Sequence, residues 1–298
     1  MENKIQIVDE SFVNHWAPEI TNEQHHADKT AIGSSGVRTF IKETPAHFYA
    51  KHLSPDAEPV TSEALRIGSL VHMALLEPSL FLQRYRMVPN FGSKRTNKYK
   101  EEYAKWTAKQ SADSVFLEKD DYHLITGIVQ KVLNNPVAKG TISGGVPERS
   151  GYFRDPETGV KCKIRPDVVN MLDIGGTPKH ALIDFKTARS AKMMDFFRAI
   201  GRYRYDVQMA FYCDGYKAIT GHDVDYPLFL VAEKEPPYAC AIYQLSKSAL
   251  EAGRRDYKLA LQTLKVCIET ERWPAYDDQV REIEVPYWSL SNQDESEI

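Results

Sequence analysis

Residues 1 to 33 are polar and carry no sustained hydrophobic period, which predicts a loosely attached lead-in or a contact between copies rather than core. From Ser35 onward apolar residues recur at helical spacing. SGVRTFIKE predicts one short helix, Pro45 interrupts it, and AHFYAKHL predicts a second, with a loop over SPDAEPV at 54–60. TSEALRIGSLVHMALLEP follows, with a hydroxyl residue and a glutamate placed to cap it. It is apolar almost all round and stops before Pro78, so it predicts a buried helix. The stretch from Ser93 to Lys109 is rich in lysine, with Tyr99, Tyr103 and Trp106 interleaved at helix-like spacing, and another helix is expected from about Glu118 to Leu133.

Beyond Gly144 the period shortens to two. VPERSGYFRD and VKCKIRPDVV flank DPETG, a proline and glycine turn suited to a hairpin, and HALIDFKT reads as a third, more buried strand. Helices are expected from about Met193 through Ile200 and from Arg202 to Ile219. PLFLVAEKE and YACAIYQL predict two more strands separated by Pro236-Pro237, and SKSALEAGRRDYKLALQTLKVCIETE is a long amphipathic helix. This order predicts an α/β fold with a central mixed β-sheet flanked by helices and a helical N-terminal elaboration. The organisation is then a lead-in over 1–33 and a single domain over 34–298, divided into a helical part at 34–143 and a sheet-centred core at 144–298.

Composition narrows the function classes. With 298 residues, 42% hydrophobic and 27% charged, the chain can bury a substantial core. No run approaches the roughly eighteen apolar residues of a membrane span, and the start, MENKIQIVDESF, has neither a basic leader nor an apolar stretch, which predicts a cytoplasmic protein. Cys162, Cys213, Cys240 and Cys267 lack the paired spacing of zinc or redox sites, so they are expected as reduced thiols. A net charge of -3 argues against non-specific coating of nucleic acid yet allows a local basic channel.

The chemistry concentrates around one strand. Arg165-Pro166-Asp167 ends or bends a strand, and Ile183-Asp184-Phe185-Lys186 lies on the next one, so the two acids come from neighbouring strands. Alternation puts Asp184 and Lys186 on one face, with Ile183 and Phe185 on the other. Two converging carboxylates make a hard oxygen site for magnesium, and phosphodiester hydrolysis uses such a metal to activate water and neutralise charge on the phosphate. Beside it, Lys186 has three available roles: orienting water, stabilising charge, or losing a proton if burial and a neighbouring cation lower its pKa. An Asp-x-Lys on a strand is by itself a weak signal, because edge strands commonly carry such charges.

Its ordered company gives the motif meaning. IGSLVHMALLEP, GYFRDPETGVKCKIRPDVV, IDFKT and YRYDVQMAFYCDGY, which together span roughly residues 35 to 245, resemble in sequence and order the PD-(D/E)xK nuclease superfamily, and within it the RecE or exonuclease VIII type of prophages, related to lambda exonuclease and RecB-like nucleases. The resemblance implies a restriction-endonuclease-like core. It implies His72, Asp167, Asp184 and the Phe185 backbone carbonyl as metal ligands, Lys186 as the catalytic lysine, and Gln208 with Tyr212 on one helix face orienting Lys186 or touching DNA. The second acid is aspartate where many relatives carry glutamate, as in the RecE subgroup. The activity implied is Mg2+-dependent digestion of double-stranded DNA ends, with Mn2+ substituting. The resemblance further implies 5′ to 3′ polarity, a ring-shaped homo-oligomer in a bacterial host cell, and a single-strand annealing partner of the RecT type. The alternatives are an endonuclease, a RecB-like module of a larger complex, or a non-catalytic DNA-binding protein.

Glu148, on the strand before the hairpin, is placed either to approach the metal or to face solvent. Arg198, Arg202 and Arg204, with Tyr203 and Tyr205, are candidates for phosphates and unpaired bases, against the alternative of plain solvated surface. The Lys94 to Lys109 stretch poses the same choice. Ser34, Ser35 and Arg38 are candidates for a 5′ phosphate, against simple helix capping by serine. For His25-His26 a metal role is disfavoured, because adjacent side chains rarely point the same way.

Overall fold

The segments that alternate beyond Gly144 pair into two sheets. The structure, a computed structural model, describes residues 4–57 and 62–286. Its strands are β1 (His15–Ala17), β2 (Tyr85–Met87), β3 (Val115–Leu117), β4 (Val146–Pro147), β5 (Ser150–Arg154), β6 (Lys161–Ile164), β7 (Val168–Ile174), β8 (Thr177–Ala188), β9 (Tyr226–Glu233) and β10 (Cys240–Gln244). The helices are α1 (Asn22–Ala27), α2 (Ser34–Lys42), α3 (Pro45–Phe48), which continues into a wider turn at Tyr49–Leu53, α4 (Glu63–Leu76), α5 (Pro78–Arg84), α6 (Asn97–Thr107), α7 (Lys119–Asn134), α8 (Pro136–Ile142), α9 (Met193–Tyr203), α10 (Tyr205–Thr220) and α11 (Lys247–Thr270). Among the described residues no helix is long and apolar enough to cross a membrane. Thr61, expected in the cap of α4, and positions 58–60 of the expected loop lie outside the described residues.

The central sheet has the order β10-β9-β8-β7-β4, with β8 and β9 parallel and the other pairs antiparallel. Alternation along its strands feeds two cores. Leu182, Phe229 and Val231 face α2, α10 and α11, whereas Ala181, Ile183, Phe185, Leu228 and Leu230 face α4 and α7. The fold is therefore the α/β arrangement expected, a mixed sheet with helices on both faces. In α4, Ser62 caps Leu65, and Ile67, Leu70, Val71, Ala74 and Leu75 form the buried stripe, each worth on the order of 1.5–3 kcal/mol for the larger side chains. Pro78 then ends it by starting α5.

Three expectations need correction. Residues 4–33 are not loosely attached: β1 adds a third strand to the β5–β6 hairpin, Ile7 and Ile32 bridge to Val160 and Cys162, and Ile5, Ala17, Ala31 and Ile32 are buried. The segment shows no period because it docks piecemeal, backbone to backbone, against the edges of a hairpin. That hairpin forms its own small sheet, and the chain crosses from β6 to the central sheet at Arg165-Pro166-Asp167. Finally, the break between the two middle helices falls at Arg204, in the left-handed region at φ 54°, so Arg202 closes α9 rather than opening α10.

Helix α10, which carries Gln208 and Tyr212, is fixed by α11 at a backbone contact. A Cβ on Gly253 would lie 2.4 Å from the Asp206 carbonyl oxygen and 2.8 Å from the Val207 nitrogen. Neither backbone atom can swing away. Gly253→Ala is expected to destabilise the fold by about 1–3 kcal/mol, as overpacking does, measured by urea denaturation; unchanged stability would show that α10 and α11 are free to separate.

Candidate active site

The site forms where the β7–β8 ladder stops. Pairing runs from Ile174 opposite Thr177 to Val168 opposite Ile183, and in that register Pro166 stands opposite Phe185. Proline has no N–H to give, so the Phe185 peptide loses its ladder partner on this side. Side chains replace it: the Phe185 N–H donates to Asp167 Oδ2 at 2.6 Å, and the Phe185 carbonyl accepts from His72 Nε2 at 2.9 Å. The His72 ring, brought by α4, also packs edge-on against the Phe185 ring, with centroids 5.1 Å apart.

Glu148 completes this group. In the left-handed region at φ 49°, it donates its backbone N–H to the Asp167 carbonyl at 3.0 Å. One carboxylate oxygen lies 3.6 Å from His72 Nδ1, and the other accepts from Arg165 Nε at 2.9 Å. Side-chain oxygen or nitrogen atoms of His72, Glu148 and Asp167 all lie within 4.8 Å of one another. Two carboxylates, an imidazole and a nearby peptide carbonyl fit a divalent cation that prefers oxygen ligands.

Asp184 lies beside this group but has other partners. Its Oδ1 accepts from Gln208 Nε2 at 2.7 Å, and Oδ2 is 2.5 Å from Lys186 Nζ. Gln208 also reaches the Tyr212 hydroxyl at 3.3 Å, and Ser34 Oγ lies 3.4 Å from that hydroxyl. The Gln208 Oε1 is buried with no partner among the described residues, a vacant acceptor within the site.

Electrostatics follow from crowding charges in a dry place. Burial alone would lower the His72 pKa, but Asp167 and Glu148 outweigh it and raise it to about 9. Burial lifts Asp167 to about 7, opposed by His72 and reinforced by Asp184 and Glu148. Burial would also lower Lys186, yet Asp184 and Asp167 hold it above the usual lysine value. Beside these carboxylates Lys186 is an ammonium, suited to meet negative charge rather than to accept a proton. Burial raises Glu148, but His72 and Arg165 bring it below the usual carboxylate range.

His72, Glu148, Asp167, Asp184, Phe185, Lys186, Gln208 and Tyr212 thus meet in one place, drawn from α4, the β4–β5 connection, the β6–β7 crossing, β8 and α10. The peripheral candidates divide. Arg38 donates to the Tyr203 carbonyl at 3.2 Å, and Ser35 is exposed one position beyond Ser34. Arg198 is exposed and paired with Asp195, and Arg202 is exposed beside the Tyr203 ring. Arg204 is not presented to phosphate, because its guanidinium is bound by Asp206 and Asp256. Sequence gave Arg165 no role beyond marking a bend. Its side chain reaches Glu148, Ser150 Oγ at 2.6 Å and the Ile20 carbonyl at 3.2 Å, and the only signal was its position directly before Pro166-Asp167.

An α/β sheet carrying acids and a lysine at the end of a central strand pair is the architecture of the PD-(D/E)xK class. Residues 33–284 match the PDDEXK-like domain of unknown function, DUF3799, and the chain belongs to that family. No curated protein matches the chain. Among solved structures it is similar in fold to a crystal structure from Eubacterium rectale, named provisionally as an exonuclease, with a TM-score of 0.58 and 18% identity over 92% of this chain and 98% of that one.

A cation at this site competes with the proton on His72 Nε2. Mn2+ affinity is therefore expected to strengthen as pH rises, most steeply below about 7, where Asp167 also loses its proton, then by up to about tenfold per unit toward about 9, and to level off above it. Calorimetric titration at pH 6.5, 7.5 and 8.5 checks this; a flat profile would remove His72 from the ligand set.

Proposed function

We propose that this chain is a Mg2+-dependent exodeoxyribonuclease, with Mn2+ substituting, that degrades one strand of linear double-stranded DNA from the 5′ end and leaves 3′ overhangs for phage-type recombination. The observation that carries it is the meeting of Asp167, Asp184 and Lys186 with His72 at the broken ladder of a PD-(D/E)xK-type sheet. The provisional name of the Eubacterium rectale protein points the same way. Direction of travel, the ring-shaped homo-oligomer, the RecT-type annealing partner and the bacterial cytoplasm rest on the RecE resemblance of the motifs.

Each residue then has a task. His72, Glu148, Asp167, Asp184 and the Phe185 carbonyl would hold the cation. When bound, Mg2+ supplies activation of water and neutralisation of charge at the phosphate. Lys186, kept as an ammonium, places positive charge where the phosphate becomes more negative, and in a site shielded from water that charge is strongly felt. Gln208 fixes the direction of the Asp184 carboxylate and is itself steadied by Tyr212.

The test is digestion of end-labelled linear duplex with Mg2+, beside closed circular duplex of the same sequence. Loss of linear DNA with the circle intact is expected. Lys186→Ala and Asp184→Ala should each lower the rate on the order of a thousandfold or more, with folding checked by circular dichroism. Full activity in either variant would sink the mechanism. Nicking of the circle would instead favour an endonuclease or a RecB-like module, and binding without cleavage under any divalent cation would favour a non-catalytic DNA-binding protein.

A further inference from the structure

A ladder of rings and cations leads outward from Lys186. Its Nζ lies 4.9 Å from the centroid of Tyr205, and Tyr205 stacks on Tyr203 with centroids 5.6 Å apart and planes at 28°. The Arg202 guanidinium stands 5.5 Å from the Tyr203 ring. Arg38 lies 6.0 Å from the Tyr205 ring, and its Nε is buried without a partner among the described residues. Exposure grows along the ladder: the Lys186 side chain is 20% exposed, Tyr205 is half-buried, and Tyr203 is 45% exposed.

This stacking depends on the broken helix. Residues two apart in a continuous helix do not face each other. Here Arg204, between the two tyrosines, takes the left-handed conformation and is clamped by Asp206 and Asp256, so α9 ends and α10 begins within one residue. A non-glycine residue held this way costs energy, and such strain collects where a function requires the geometry. The same short helix exposes Phe197 at 67% and Met193 at 69%, with Lys192 and Arg198 alongside in solvent. Met194, 58% exposed, adjoins Met193, so α9 offers several apolar side chains together beside these cations.

We propose that this surface binds single-stranded DNA, stacking unpaired bases on Tyr203 and the exposed face of α9 while Arg38 and Arg202 take phosphates, so that the strand to be cut reaches Lys186 unpaired. Aromatic faces stack on any base, which makes such a surface indifferent to sequence, and an intact duplex keeps its bases stacked inside and offers them no face. The inference depends on the DNA-cleaving function proposed above, and it adds the class of substrate at the point of cleavage.

The test uses the full chain in EDTA, where binding is read without cleavage, by fluorescence anisotropy of a labelled single-stranded oligonucleotide and of a blunt duplex. The single strand should bind more tightly. Tyr203→Ala should weaken that binding about tenfold, Phe197→Ala should weaken it too, and Tyr203→Phe, which keeps the ring, should retain it. Unchanged binding by Tyr203→Ala, or an equal loss on blunt duplex, overturns the proposal. So does a change of oligomeric state on light scattering with single-strand binding intact, since the face would then join two copies of the chain. A chain that binds single strands through Tyr203 but cuts no DNA with any divalent cation would sink the nuclease function and leave this surface standing; one that cuts DNA while ignoring Tyr203 would do the reverse.

Discussion

One peptide group organises the site. Strand β8 continues beside β9 to Ala188, but on its other side β7 begins only at Val168, with a proline opposite Phe185. A buried peptide left without partners costs on the order of 1–3 kcal/mol for each group, so something must replace the ladder. Asp167 supplies the acceptor and His72 the donor, and both are thereby delivered to within reach of Asp184 and Lys186. The carboxylate and the imidazole are held in place by the same backbone requirement that builds sheets everywhere else in the molecule.

Holding charged groups there is not a route to stability. The Asp184 carboxylate is almost wholly buried against Lys186, and ions taken out of water in this way cost several kcal/mol each before their mutual attraction is counted. Apolar residues would fill the space more favourably. That polar and ionic groups from five parts of the chain occupy it instead is the physical mark of a site kept for its chemistry. Glu148 supports the same view, because it sits in a strained backbone conformation to touch Asp167, His72 and Arg165 together.

Much of this was legible in the sequence, and what was not has identifiable causes. Period-two alternation in Ile183-Asp184-Phe185-Lys186 separates core from cleft because Ile183 and Phe185 are needed in the α4 and α7 layer. Strand existence was legible for β5, β6, β8, β9 and β10, since each buries a face, but β7 was not: the strand expected over 160–169 runs across the β6–β7 crossing, and the β7–β8 hairpin with its turn at Gly175–Gly176 was missed. The second sheet was not legible: alternation tells which face is buried but not which strand is the neighbour. Nor was the anchoring of residues 4–33, which combines backbone pairing with a few scattered buried side chains, Ile5, Ala17, Ala31 and Ile32, that follow no single period. Arg204 shows a third limit, because a cation adjacent to a site looks the same in sequence whether it faces phosphate or is neutralised by Asp256, fifty-two positions away.

The misjudged N-terminal segment turns out to bear on the site itself. Arg165 fixes Glu148, and Arg165 is in turn held by the Ile20 carbonyl and by Ser150, whose hydroxyl meets Nδ1 of the buried His25. Burial lowers the His25 pKa to about 3, so the ring stays neutral and adds no competing charge beside Arg165. Lys163, on β6, meanwhile donates to the His25 and Asp28 carbonyls and ties the end of α1 to the small sheet. Hydrogen bonds therefore run from Ile20 and His25 through Ser150 and Arg165 to Glu148, and a 3.6 Å ion-pair contact carries the line on to His72. The small sheet is then more than an ornament on the central one: from outside the nuclease-type core it holds Glu148, whose carboxylate stands 3.6 Å from His72 Nδ1.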